Sequence, residues 1–487
     1  MRRNRCKFRI GCLLMAMFFC VSLSACQNDQ DDKFDAIVSA QKAANEQAQS
    51  FPSTAQKSEE TPSQAPEAEK KQLSGELRIS LPMRDAGLVQ RSKEFKELYP
   101  DVKITFDCIV DDISAGIPGD YTTRYIQKTV TELSGGDAAD IVDLGFVSFY
   151  KYGATGLFED LNVLMAEDPA FDREDLYTNI LDALEDKEGK LYALPATFRF
   201  NVMILNDYIM YELDMDVEEA FKEGADYRDL IDLYWQAVDA GAIRPGDKAG
   251  GCFFAAGQNK NFFEGYVFPR FLDEKAGEAH FETPEFIEYL KMTDGLPFEK
   301  TVAQGGTYPY DWPNFGTDDY FCQQLPAMPT HLGNIEHNSL AGSTGAIFYK
   351  GRDGDIPFTA ASLLAIPKGA DKELAWEFLK FVIEEKEFPE DLDIYNPNIM
   401  LQYFGPYNYA VPINRNNYQK LYGAAFSPSL AEKFDAYQQT LNRRVGNSTE
   451  LMENLQDILI SYYDNHIISA EECAKQLQER AWIYLNE

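Results

Sequence analysis

Histidine is scarce: four in 487 residues, at positions 280, 331, 337 and 466. His331 and His337 stand six apart, a spacing that does not put both on one helical face. There is no His-Glu-x-x-His, no Gly-x-x-x-x-Gly-Lys, no Gly-x-Gly-x-x-Gly and no Gly-x-Ser-x-Gly. The zinc protease, phosphate-loop, dinucleotide and nucleophile-elbow signatures are therefore missing. Cys108, Cys252, Cys322 and Cys473 form no Cys-x-x-Cys pair and lie near no histidine at metal-ligand spacing, which leaves no zinc site to argue for. Asp318-Asp319 and Asp353/Asp355 do not fit the calcium-loop pattern. Positive charge is also short. Lys and Arg number 45 against 79 Asp and Glu, a formal net charge of −34. Such a surface repels phosphate backbones and anionic lipid head groups, which disfavours nucleic-acid binding. No cofactor is implied. Carboxylates are so abundant that a glycosidase pair could be drawn anywhere, and abundance is no argument for one.

The N-terminus falls into three zones. Arg2, Arg3, Arg5, Lys7 and Arg9 are positive, and Ile10–Leu23 is a mostly apolar run of 14 residues. That run is shorter than the roughly 20 residues a membrane-spanning helix needs. Leu23-Ser24-Ala25-Cys26 follows. The pattern reads as a secretory signal peptide over residues 1–25. Its last four residues resemble the bacterial lipobox, which implies that Cys26 becomes the mature N-terminus and carries a lipid on its sulfur. Losing five cations from −34 leaves −39. Residues 27–74 hold no Trp or Tyr and two Phe, and are rich in Gln, Ala, Ser, Glu, Lys and Pro. They cannot bury enough apolar surface to offset their ordering entropy. Residues 26–74 therefore read as a lipidated tether.

A chain of this length exceeds what one hydrophobic core serves, so two lobes are expected. Leu77, Ile79 and Leu81 alternate with polar residues up to Pro82, a strand period. A helix is predicted over Leu88–Leu98, and Val102, Ile104 and Phe106 alternate again. Strand, helix, strand implies parallel pairing and an α/β class. A further helix is predicted over Tyr121–Leu133, then a strand at Ile141–Leu144. More strands are predicted at Leu191–Pro195, Val202–Leu205, Gly345–Phe348 and Ala360–Ile366. Helices are predicted over Tyr227–Ala240, Pro284–Lys291 with Thr283 as N-cap, and Lys372–Glu385. A last helix is opened by the capping box Ser469-Ala-Glu-Glu472.

Ala139-Asp-Ile-Val-Asp-Leu144, Leu191-Tyr-Ala-Leu-Pro195 leading to Ile204-Leu-Asn206, and Leu364-Ala-Ile-Pro-Lys-Gly369 followed by Ala375-Trp-Glu-Phe378 resemble the family 1 extracellular solute-binding proteins, the group of the maltodextrin-binding proteins. The resemblance spans most of residues 75–487. It implies a two-lobe, periplasmic-binding-protein-like α/β fold with an interlobe ligand cleft and a hinge. Lobe I would comprise 75–206 plus 347–385, and lobe II 207–346 plus 386–487. It further implies a monomeric, non-enzymatic binding protein outside the cell, and the lipidated Cys with its long polar tether suits the outer face of a Gram-positive cell membrane. That protein would capture a small-molecule solute, above all an oligosaccharide, and deliver it to the transmembrane subunits of an ABC permease. Two alternatives stay open: a binding protein for another solute such as a peptide, and a surface glycoside hydrolase.

Sugars present hydroxyl edges and apolar faces, so a sugar cleft needs aromatic platforms beside planar polar side chains. Tyr308-Pro-Tyr-Asp-Trp-Pro-Asn-Phe315 is the richest stretch, with Trp312, Tyr310 and Phe315 as candidates. Arg199 and Asn201 are candidates between two strands near the hinge. Tyr349 and Arg352 follow a strand near the second crossing. Asp143 and Phe146, with Tyr150 nearby, and Arg84 lie beyond strand ends at one rim, where open α/β sheets bind ligands.

Overall fold

The computed structural model describes residues 72–112, 116–243, 252–254, 267–297, 320–327, 346–388, 410–422, 428–445 and 449–486. Cys26, Tyr310, Trp312 and Phe315 lie outside them. The strands are β1 (Gly75–Met83), β2 (Val102–Val110), β3 (Ile141–Asp143), β4 (Leu194–Arg199), β5 (Asn201–Leu205), β6 (Cys252–Phe254), β7 (Leu272–Asp273), β8 (Glu278–Ala279), β9 (Tyr320–Pro326), β10 (Ala346–Phe348), β11 (Pro357–Ala365), β12 (Val411–Pro412) and β13 (Arg443–Arg444). The first sheet runs β12-β4-β11-β3-β1-β2, with β13 added beside β11. The second runs β10-β5-β9-β6, and β7 and β8 form a separate hairpin.

β1 pairs in parallel with β2 over its whole length, from Gly75↔Val102 to Met83↔Val110. Leu77, Ile79 and Leu81 are buried as the alternation requires. Pro82 does not end the strand. It sits between the register pairs Leu81↔Cys108 and Met83↔Val110, and the Arg84 N–H resumes the ladder on the Val110 carbonyl at 2.8 Å. The connecting helix is Ala86–Leu98, capped by the Asp85 carboxylate, which accepts from the Leu88 N–H at 2.9 Å. Its inner face is Leu88, Ser92 and Phe95, while Leu98 points to solvent. Thr283 caps Pro284–Asp294 as expected, accepting from Phe286. Ser469 accepts from Glu472 and opens Ala470–Asn486, whose Cys473, Leu477 and Ala481 are buried.

Two cores result. Leu77, Ile79, Phe95, Ile141, Leu181, Phe198, Phe358 and Phe378 belong to the first, and Leu230, Tyr234, Phe253, Phe286, Phe321, Leu455 and Leu477 to the second. We call the parts built around them the first and second bodies. The chain crosses at Phe200, between β4 and β5, and returns between β10 and β11. The sequence reading puts the third crossing after Glu385 and all of 386–487 in the second lobe. Packing divides that stretch instead. Val411, Ile413, Tyr418, Phe434 and Leu441 join the first core, and Leu451 through Tyr484 the second. Helices Arg415–Tyr422 and Pro428–Gln438 follow β12 at the edge of the first sheet. Cys108, Cys322 and Cys473 are free thiols. Among the described residues no helix is long and apolar enough to cross a membrane, and no cluster of three or more His, Cys, Asp or Glu could hold a metal ion.

Candidate functional site

A cavity of about 570 Å³ opens between the two bodies. Three short pieces of the first body, the returning crossing at Asp355 and one hairpin of the second make its walls. Helix Thr178–Leu184 buries Ile180, Leu181 and Leu184. Its other face, at the helical spacing 179, 182, 183, presents Asn179, Asp182 and Ala183 to the cavity. The Asn179 amide donates to the carbonyls of Gln438 and Leu441 at 2.9 and 2.8 Å. That fixes the turn leading into β13. Leu441 anchors in the first core, and Asn442, Arg443 and Arg444 follow it along the cavity.

β13 pairs with the start of β11, Arg443 beside Pro357 and Arg444 beside Phe358. The Asn442 side chain donates to the Gly354 carbonyl at 2.9 Å and accepts from the Ile356 N–H at 2.8 Å. This holds the returning crossing in place. Arg443 is paired with Asp355 at 2.7 Å. Arg444 lies with its guanidinium 4.9 Å from the centre of the Phe149 ring, a cation–π arrangement. Phe149 opens the helix Phe149–Ala154 that carries Tyr150 into the cavity wall. Burial pushes the Tyr150 phenol well above its ordinary range, so it stays a neutral hydroxyl.

The opposite wall is the β7–β8 hairpin. Leu272 and Ala279 are buried in the second core. The Asp273 carboxylate accepts from the Ala276 N–H at 2.9 Å, and Gly277 at φ +73° completes a turn that a Cβ would strain. Glu274 and Lys275 reach the cavity from this turn. The Ser148 hydroxyl donates to Glu274 at 3.1 Å across the gap. Lys151 donates to the Tyr484 carbonyl at 3.4 Å and lies 5.0 Å from that ring's centre.

The residues singled out from sequence scatter around this cavity. Arg84 is paired with Asp111 and stacks over Phe106 at 5.7 Å. Asp143 is buried at the end of β3, where its carboxylate accepts from the Gly145 N–H at 2.8 Å. Its carboxyl is pushed up to about 7, by burial first and by the negative charge of Asp85 after it. Phe146 is half-buried, edge-on to Tyr121 at 6.1 Å. Arg199 and Asn201 do not sit in a loop. Arg199 ends β4 opposite Thr359, and Asn201 begins β5 opposite Pro326. Tyr349 is a buried member of the second core. Arg352 is exposed, with its backbone N–H on Asp226 at 3.1 Å and its guanidinium on Asp229 at 3.2 Å. None of these lines the cavity. Tyr150 does, and its place beyond the Ile141 strand was the readable signal. The stretches 272–275 and 439–444 carry no periodicity, because two-residue strands are too short to show one.

No family model matches the chain, and no curated protein matches it. Solved structures do. The sugar-binding protein MalE of Xanthomonas citri matches at a TM-score of 0.55 and 15% identity, over 85% of this chain and 100% of that one. An ABC substrate-binding protein of Listeria monocytogenes, solved with cycloalternan, matches at 0.53 and 18%, over 85% and 99%. The GacH receptor of Streptomyces glaucescens, solved unliganded and with acarbose, matches at 0.51 and 14%, over 85% and 99%. The chain therefore has the two-lobe α/β fold of these extracellular solute-binding proteins, as the sequence motifs led us to expect.

Proposed function

We propose that this protein captures a saccharide in the cavity between its two bodies and delivers it to the membrane subunits of an ABC importer, binding the solute without transforming it. The observation that carries the reading is the cavity itself. It lies between two α/β bodies and is rimmed by hydroxyl, amide and charged side chains rather than by a nucleophile–base pair. Closing the bodies would surround a solute with Tyr150, Asn179, Asn442 and the 272–275 hairpin, a hinge motion. That the matching structures include proteins solved with sugars supports the choice of solute. Trp312, Tyr310 and Phe315 are proposed as the aromatic platform that sugar faces need. Cys26 is proposed as the lipid attachment that holds the protein at the outer face of the membrane.

Thermal unfolding of the purified full chain against mono- and oligosaccharides, peptides and metal ions tests this. A ligand at about 100 times its Kd stabilises the native state by about 2.7 kcal/mol, which is visible as a melting shift. We expect one saccharide class to raise the melting temperature and to be recovered unchanged. A shift with peptides alone would discard the carbohydrate reading. Consumption of the sugar would make the protein an enzyme.

A further inference from the structure

The cavity wall carries seven charged side chains, and their pairing is uneven. Its four carboxylates are all engaged. Asp182 is paired with Arg173 at 2.7 Å, and Asp355 with Arg443 at 2.7 Å. Asp273 accepts from the Ala276 N–H and Glu274 from Ser148. The cations are not matched in the same way. Among the described residues neither Arg444 nor Lys275 has a carboxylate within pairing distance, and the buried Nε of Arg444 has no acceptor. This occurs in a chain with 79 acidic residues against 45 basic ones, where a carboxylate partner is easy to supply.

We infer that the saccharide bound here carries a carboxylate, as a uronic acid does, and that Arg444 receives it with Lys275 beside it. This rests on the saccharide-capture reading above. The wall sums to one negative charge, three cations against four carboxylates, so a long-range field does not draw the anion in. The attraction is local. The Phe149 ring lies against the guanidinium, 4.9 Å from its carbon to the ring centre, and a guanidinium's N–H fork suits a planar two-oxygen acceptor. Closing the bodies on a neutral sugar would leave the Arg444 charge unpaired in a drier site. A ligand carboxylate removes that cost, so the same closure discriminates acid from neutral sugar. The engaged acids on the rim oppose anions that do not reach the fork.

The test compares uronic-acid oligosaccharides with the same oligosaccharides methyl-esterified at the carboxyl, by calorimetric titration of the full chain. Inorganic phosphate serves as a bare anion control. We expect the acid to bind about tenfold or more tighter than its ester. That preference should collapse in Arg444→Gln, survive in part in Arg444→Lys, and weaken in Lys275→Gln with a shallower salt dependence. If Arg444→Gln does not fold, the acid–ester comparison on the unaltered chain and Lys275→Gln still decides. Equal binding of acid and ester, or binding of neutral sugars alone, overturns the carboxylate assignment and leaves saccharide capture standing. Binding of phosphate but of no sugar overturns both, as does a failure of every saccharide.

Discussion

At the scale of single residues, Asp143 shows how a rim position can serve the fold instead of a ligand. It closes β3, with only 5% of its surface exposed. Its backbone carbonyl accepts from the Tyr125 hydroxyl at 2.9 Å, and the same hydroxyl also serves the Ser80 carbonyl. Its carboxyl is protonated more readily folded than unfolded, since burial pushes it to about 7. The sign follows from that direction. A carboxyl raised in the folded state contributes stability that is complete below the ordinary carboxylate range, and that contribution is lost as pH rises through about 7. Asp143→Asn keeps an oxygen for the Gly145 N–H and removes the titration. We expect the variant to match the parent near pH 4 and to exceed it by about 4 kcal/mol above pH 7. Urea unfolding midpoints at three pH values measure this. A stability difference that stays constant with pH would show that the carboxyl does not titrate as argued.

At the scale of elements, the second body is organised by one buried ion pair. Asp226 caps the helix Tyr227–Asp239 in a capping box, its N–H donating to Asp229 at 2.9 Å. Its second oxygen accepts from Arg270 at 3.3 Å and from the Arg352 N–H at 3.1 Å. The side chains of Asp226 and Arg270 are 1% and 7% exposed. Arg270 also reaches Asp353 at 3.2 Å and Glu285 at 3.4 Å, so helix Pro284–Asp294 and the returning crossing share this anchor. Breaking such a pair strands a charge. Arg270→Met should cost about 3–5 kcal/mol, and Asp226→Asn with Arg270→Met together less than the sum of the two singles. Additive losses in a double-mutant cycle would remove the coupling. The helix itself was legible from its apolar spacing, as were the Thr283 and Ser469 caps and the β1-helix-β2 unit, because each is a local pattern. The pair was not, since Asp226 and Arg270 meet only through tertiary packing. The same limit explains the strand across Phe198 and Arg199. Its ladder partners, Thr359 to Leu364, lie more than 150 positions away, and the local residues Phe-Arg-Phe-Asn read equally well as a loop. It also explains the cavity: the candidates came from strand ends and aromatic clusters, whereas the wall is built by the 272–275 turn and by the Leu441 anchor that brings Arg443 and Arg444 beside β11.

At the scale of the whole molecule, the two bodies touch through side chains as well as through their crossings. The crossings are clasped by rings. Tyr437 lies 5.1 Å from Phe200 and 4.6 Å from Phe348, and its hydroxyl donates to the Tyr349 carbonyl at 2.6 Å. Away from the crossings, Ser148 reaches Glu274, and Lys151 reaches Tyr484. These last two contacts bridge the bodies through the protein's own side chains, so they contribute to the balance between closed and open forms. A net hydrogen bond is worth about 0.5–1.5 kcal/mol, and about 1.4 kcal/mol is a factor of ten in an equilibrium. Ser148→Ala with Lys151→Ala should therefore move the ligand-free population toward open by roughly tenfold. Small-angle scattering of the ligand-free double variant should give a larger radius of gyration than the parent, and saturating ligand should bring the two to the same value. Because apparent affinity falls with the fraction of molecules that are competent to bind, the variant should also bind more weakly by the factor its closed population has lost. Equal radii without ligand and equal affinities would mean that the crossings and their aromatic clasp set the balance alone.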